Sequence, residues 1–152
     1  MSVQTFEPIR KSVVVNVPPE RAWEAFTAEM GSWWPLQSHS VLTENGRQAE
    51  RLVLEGRVGG EIYEQVGEER VAWATVLTWD PPHRLSVRWR VSPQALTECS
   101  ATFTPEDGGT RVDLVHSGWE AFGERADEMR SNYGGDGGWA TVLGCFERFL
   151  SG

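Results

Sequence analysis

Basic residues are scarce in this chain: Lys and Arg total 14 against 22 Asp and Glu, a formal charge of −8. Binding to nucleic acid rests on Lys and Arg neutralising phosphates, so this balance argues against nucleic acid and against anionic membrane surfaces. Long apolar runs are missing as well, and none approaches the roughly 20 residues that a membrane span needs. The opening "MSVQTFEPIRKSVVV" has no basic segment leading into an apolar one, so no secretion signal is read and a cytoplasmic protein is expected. Cysteine occurs only as Cys99 and Cys145, which without such a signal are expected as reduced residues rather than a disulfide. The three histidines, at 39, 83 and 116, form no pair at metal-ligand spacing and lie close to no cysteine, so no metal is expected. The glycine pairs in "VGG" and "DGG" sit between strands instead of opening a helix, which leaves no phosphate loop and no cofactor to expect.

Tryptophan, by contrast, is abundant, with eight in 152 residues. Residues 11–17, "KSVVVNV", place Val13, Val15 and Val17 on one face of a strand. "PPERAWEAF" then starts a helix over about 19–28, where proline needs no N–H partner and Glu20 suits the positive helix start. In "GSWWPLQSHS" Gly31 and Pro35 bracket Trp33 and Trp34, and the chain stays polar to residue 50. Paired apolar-alternating runs follow, turning at Gly59-Gly60, at Asp80-Pro81-Pro82 and at Glu106-Asp107-Gly108-Gly109, a meander of six antiparallel strands.

Alternation predicts Leu52 and Leu54, Trp73, Thr75, Leu77 and Trp79, Leu85, Val87, Trp89 and Val91, Cys99, Ala101 and Phe103, and Val112, Leu114 and His116 on the inner face. The opposite parity carries Arg84, Arg88, Arg90, Glu98, Arg111 and Asp113, a solvated face. "WEAFGERADEMRSNY" has helical spacing, and "YGGDGG" interrupts it. A second helix over 137–150 then sets Trp139, Val142, Leu143, Phe146, Phe149 and Leu150 on one stripe. Together these predict an α+β fold of one domain over 1–152, a curved antiparallel sheet of six to seven strands wrapped around a long C-terminal helix.

"VNVPPERAWEAFT" with "WWP", "GRVGGEIYE", "ATVLTWDPPHRLSVRW", "ATFTPEDGGTRVDLVHSGW" and "GGWATVLGCFERFL", in that order over about 10–150, resemble the START-like helix-grip (SRPBCC) superfamily and, within it, the family related to the C-terminal domain of the activator of Hsp90 ATPase. The resemblance implies a long, partly apolar cavity between sheet and C-terminal helix, used by relatives for small hydrophobic molecules. It also implies a chaperone as a candidate partner, although the ten residues before the first strand are too few for the N-terminal domain that Hsp90 activators carry. The chain departs from the family pattern in the polar stretch 36–50 and in "YGGDGG".

Three functions stay open: a module that binds a small hydrophobic ligand, a cyclase- or hydrolase-type enzyme using the same space, and a chaperone-interacting module. The expected ligand-binding residues are Trp33, Trp34, Trp73, Thr75, Trp89, Cys99, His116, Trp139 and Leu143. Of the tryptophan pair, one indole is expected to pack inward and the other to sit at the lip. His116 is the candidate general acid or base, because its parity turns it inward, with Glu64, Thr75 and Cys99 as groups that could converge on it.

Overall fold

The structure, a computed structural model, describes residues 7–35, 50–90, 96–135 and 138–151. Seven strands form one antiparallel sheet: β1 (Ile9–Val15), β2 (Arg51–Leu54), β3 (Glu61–Val66), β4 (Glu69–Asp80), β5 (Arg84–Trp89), β6 (Thr97–Glu106) and β7 (Gly109–Ser117). Their order is β1-β7-β6-β5-β4-β3-β2, so β2 to β7 form the meander and β1 closes on its last strand. From β2 to β7 each strand pairs with the next, as the apolar parity of neighbouring strands faces one way. One rung of Cα partners runs Ile9, His116, Cys99, Val87 and Val76 across five strands, and all five are buried.

The expected parity fails in β4 for a local reason. Trp73 is an extra residue between Ala72, which faces Tyr63, and Ala74, which faces Ile62. Leu77 is a second, between Val76 and Thr78. Each bulge resets the alternation by one residue. Trp73, Ala74 and Val76 are therefore buried, and Leu77, expected inside, is 36% exposed. Thr75, also expected inside, is turned to the outer face, opposite Glu61 and Arg88, where its hydroxyl accepts a bond from Arg90 Nε at 3.1 Å. Trp79 recovers the inward direction and meets Trp23 at 4.9 Å between ring centroids. Val91 and the polar stretch 36–49 lie outside the described residues.

Helices cover the inner face. α1 (Pro19–Phe26) buries Ala22, Trp23, Ala25 and Phe26, and α2 (Met30–Trp33) is one turn pressed on β2. A Cβ on Gly31 would stand 2.5 Å from the Leu52 carbonyl oxygen, so only glycine allows that approach. Beyond β7, Gly118 adopts a left-handed φ of 92° that turns the chain into a 3₁₀ segment, Trp119–Arg125. The single helix expected over this stretch breaks at Gly123, and α3 (Ala126–Gly134) follows. α4 (Trp139–Ser151) is the C-terminal helix and buries Trp139, Val142, Leu143 and Phe146. It packs against β1, α1, α2 and α3, which makes it the centre that the curved sheet surrounds.

Candidate functional site

Beneath the middle of the sheet, four indoles from four elements meet. Trp73 (β4) and Trp89 (β5) have ring centroids 4.9 Å apart, Trp139 (α4) lies 5.3 Å from Trp89, and Trp34, just past α2, lies 5.3 Å from Trp73. Three of them turn their N–H groups into the wall. Trp73 Nε1 donates to Glu64 Oε2 at 2.8 Å, Trp89 Nε1 to the Tyr133 hydroxyl at 3.1 Å, and Trp139 Nε1 to His116 Nδ1 at 2.9 Å. A buried indole needs such a partner, and these bonds leave the apolar ring surfaces to the space between the rings. That space is an apolar gap of about 30 Å³, lined by all four indoles with Ile62 and Cys99. It is about the room of one water molecule. Among the described residues, the tryptophans take up much of the space between the sheet and the C-terminal helix around this gap.

The tryptophan pair does not divide as expected. Trp33 is 6% exposed and Trp34 9%, so both are buried and neither sits at a lip. α2 ends between them and the backbone at Trp34 becomes extended, which sends both rings inward along different paths. Trp33 donates from Nε1 to the Ala25 carbonyl at 2.8 Å and packs on Phe146 at 5.1 Å. Trp34 instead joins the gap.

His116 is fully enclosed, 0% exposed. Because Trp139 donates to Nδ1, that nitrogen is an acceptor, and the ring proton belongs on Nε2, which is 2.7 Å from Thr97 Oγ1. Trp89, Trp119, Tyr133 and Trp139 surround the ring at 4.4 to 5.8 Å. No charge compensates this burial, and the histidine pKa is pushed down to about 3. It is neutral at physiological pH with both nitrogens engaged. Among the groups expected to converge on it, Cys99 is its neighbour across β6, Thr75 is on the other face of the sheet, and Glu64 lies beyond the three strands β6, β5 and β4. Burial also pushes the Cys99 thiol far above its usual range, with Glu98 adding to it, which leaves no thiolate to react.

Of the residues expected at the site, Trp34, Trp73, Trp89, Cys99 and Trp139 line the gap. His116 stands behind Trp139, whereas Trp33 and Leu143 belong to the surrounding core. Glu64 and Tyr133, the acceptors for Trp73 and Trp89, were not among the expected ligand-binding residues. The alternation Ile62, Glu64 carried a signal for Glu64, since a carboxyl at an inward strand position is uncommon. Tyr133 carried none. Among the described residues, no cluster of three or more His, Cys, Asp and Glu side chains could hold a metal ion, and no helix is long and apolar enough to cross a membrane.

This curved sheet around a C-terminal helix, with its aromatic interior, is the helix-grip architecture. The chain belongs to the family described as activator of Hsp90 ATPase homolog 1-like proteins, whose pattern matches residues 16–151. Among solved structures, it is 29% identical to an anthrahydroquino-γ-pyrone synthase, Txn09, solved as a complex, with 97% of each chain covered and a TM-score of 0.59. It is 25% identical to CalC, a self-sacrificing resistance protein from Micromonospora echinospora, covering 95% of this chain and 94% of that one at a TM-score of 0.65. The Aha1 dimer from Colwellia psychrerythraea shares 16% identity over 95% of this chain and 96% of that one, with a TM-score of 0.63, a likeness of fold. No sequence among curated proteins matches.

Proposed function

We propose that this chain binds a small, planar, hydrophobic molecule, such as an aromatic polyketide fragment, among Trp34, Trp73, Trp89 and Trp139. The observation that carries this reading is the convergence of four indoles on one apolar gap, three of them with N–H groups tied back into the wall. Rings held in this way offer stacking and edge contacts to a flat ligand at little cost in side-chain entropy. The likeness to a γ-pyrone synthase, at 29% identity over nearly the whole of both chains, supports the ligand class. A gap of about 30 Å³ must widen to admit such a ligand.

The enzyme reading has less support from the geometry. His116 can gain or release a proton only by breaking its bond to Trp139 or to Thr97, and a general base works best with a pKa near the operating pH. We therefore assign His116 the role of holding Trp139.

Titration with the neutral fluorophore Nile red tests the binding reading. Saturable binding is expected, with Trp89→Leu weakening it about two- to tenfold, the worth of one aromatic contact. Trp79→Leu, at a ring that packs on Trp23 and does not line the gap, is expected to leave the affinity unchanged. Failure of the folded protein to bind, or equal losses in both variants, overturns the reading and leaves a chaperone-directed interaction as the better one.

A further inference from the structure

The gap must widen before a ligand enters, and α3 is the neighbouring element least able to resist. Of its nine residues only Ala126 is buried. Met129 and Tyr133 pack half-buried on the core, and Arg130 Nε donates to the Glu7 carbonyl at 2.7 Å. A helix of that length is marginal by itself, and its last turn, "SNYG", is poor in strong helix formers. Ahead of it Gly123 holds φ at 58°, a left-handed conformation that glycine enters freely, and behind it the backbone becomes extended at Gly135. A segment with so little buried apolar surface opens at a lower free energy than the core around it.

α3 nevertheless carries the residue on which two walls of the gap depend. The Tyr133 hydroxyl accepts from Trp89 Nε1 at 3.1 Å, and the Tyr133 ring meets His116 at 5.2 Å and Trp119 at 5.3 Å. His116 in turn accepts from Trp139 Nε1. Trp89 and Trp139 line the gap, and Tyr133 stands behind them.

We propose that α3 is the door through which the ligand reaches the gap, and that Tyr133 is the positioning residue that holds it shut, an inference that rests on the binding reading above. With α3 docked, Trp89 is fixed by the Tyr133 hydroxyl and Trp139 by the His116 ring on which Tyr133 packs. With α3 displaced, Trp89 loses that bond and its ring turns into the room Tyr133 leaves, which widens the gap. The bond between Trp89 and Tyr133 is made in the closed form, with or without ligand, and broken in the open form. Weakening it raises the population of the open form and so speeds entry and exit alike. A change that only damages the walls speeds exit alone.

Stopped-flow fluorescence of Nile red binding to the full chain tests this. Tyr133→Phe removes the hydroxyl and keeps the ring on His116 and Trp119, and Arg130→Ala removes the tie to the Glu7 carbonyl without touching any wall. Each is expected to raise both the association and the dissociation rate by about two- to tenfold, the worth of one hydrogen bond, with their ratio little changed. Should Tyr133→Phe not fold, Arg130→Ala, a change at the surface, carries the test alone. Arg21→Ala, which releases α1 from Glu29 just before α2, reports opening between those helices instead and is expected to leave both rates unchanged. An association rate that fails to rise in Arg130→Ala or in folded Tyr133→Phe, or that rises as much in Arg21→Ala, overturns the role of α3 alone. Failure of the folded wild type to bind Nile red overturns the binding site itself.

Discussion

Lowering the pH from about 7 to about 5 is expected to remove on the order of 2 kcal/mol of folding stability through His116 alone. In the folded chain this histidine is buried with its pKa pushed down to about 3, against 6.5 when exposed. Between those values the unfolded chain holds a proton that the folded chain does not, so acidification favours unfolding. The stability this group contributes is complete above pH 6.5 and is lost as the pH falls toward 3. Protonation would also replace the acceptor at Nδ1 with a second donor facing Trp139 Nε1–H. Cys99, the Cα partner of His116 on β6, is held as the neutral thiol by burial and does not offset the effect. Urea unfolding over the pH range measures this. His116→Gln should flatten the slope relative to wild type between pH 7 and 5, whereas parallel profiles would mean that His116 is not held neutral.

Phe146→Ala is expected to cost about 3–5 kcal/mol and to lower the thermal midpoint by about 10 °C. Phe146 is fully buried on α4 and joins two layers: it meets Phe26 of α1 at 5.3 Å edge to face and Trp33 of α2 at 5.1 Å. Rings on three helices cannot collapse together into the space that its removal leaves, so the cavity penalty adds to the lost transfer energy. Differential scanning calorimetry would register it. A midpoint within 2 °C of wild type would contradict the packing described for the C-terminal helix.

Most of this fold was legible in the sequence, because each signal was local. Period-two alternation marked the strands, short Gly and Pro turns joined neighbours, and the stripe Trp139, Val142, Leu143, Phe146 marked the helix that the sheet surrounds. The site was legible only in part. Trp73, Trp89 and Trp139 reached the gap as their parity and spacing implied, whereas Thr75 did not, because the bulge at Trp73 is set by pairing with β3 and leaves no mark in β4 itself. The burial of both Trp33 and Trp34 depends on one turn of helix ending between them, a boundary too short for periodicity to detect. The partners of the indoles, Glu64, Tyr133 and His116, come from β3, α3 and β7, and only the tertiary arrangement brings them to the rings.

The eight tryptophans provide the most direct test of the central claim, that a planar ligand enters among four of them. Protein labelled with 5-fluorotryptophan gives one ¹⁹F resonance for each indole, assignable by single Trp→Phe substitutions. Titration with 2-naphthol is expected to shift the resonances of Trp34, Trp73, Trp89 and Trp139. Trp23 and Trp79, which pack together and do not line the gap, should stay in place. A titration that moves Trp23 and Trp79 while the four remain unshifted would contradict the account.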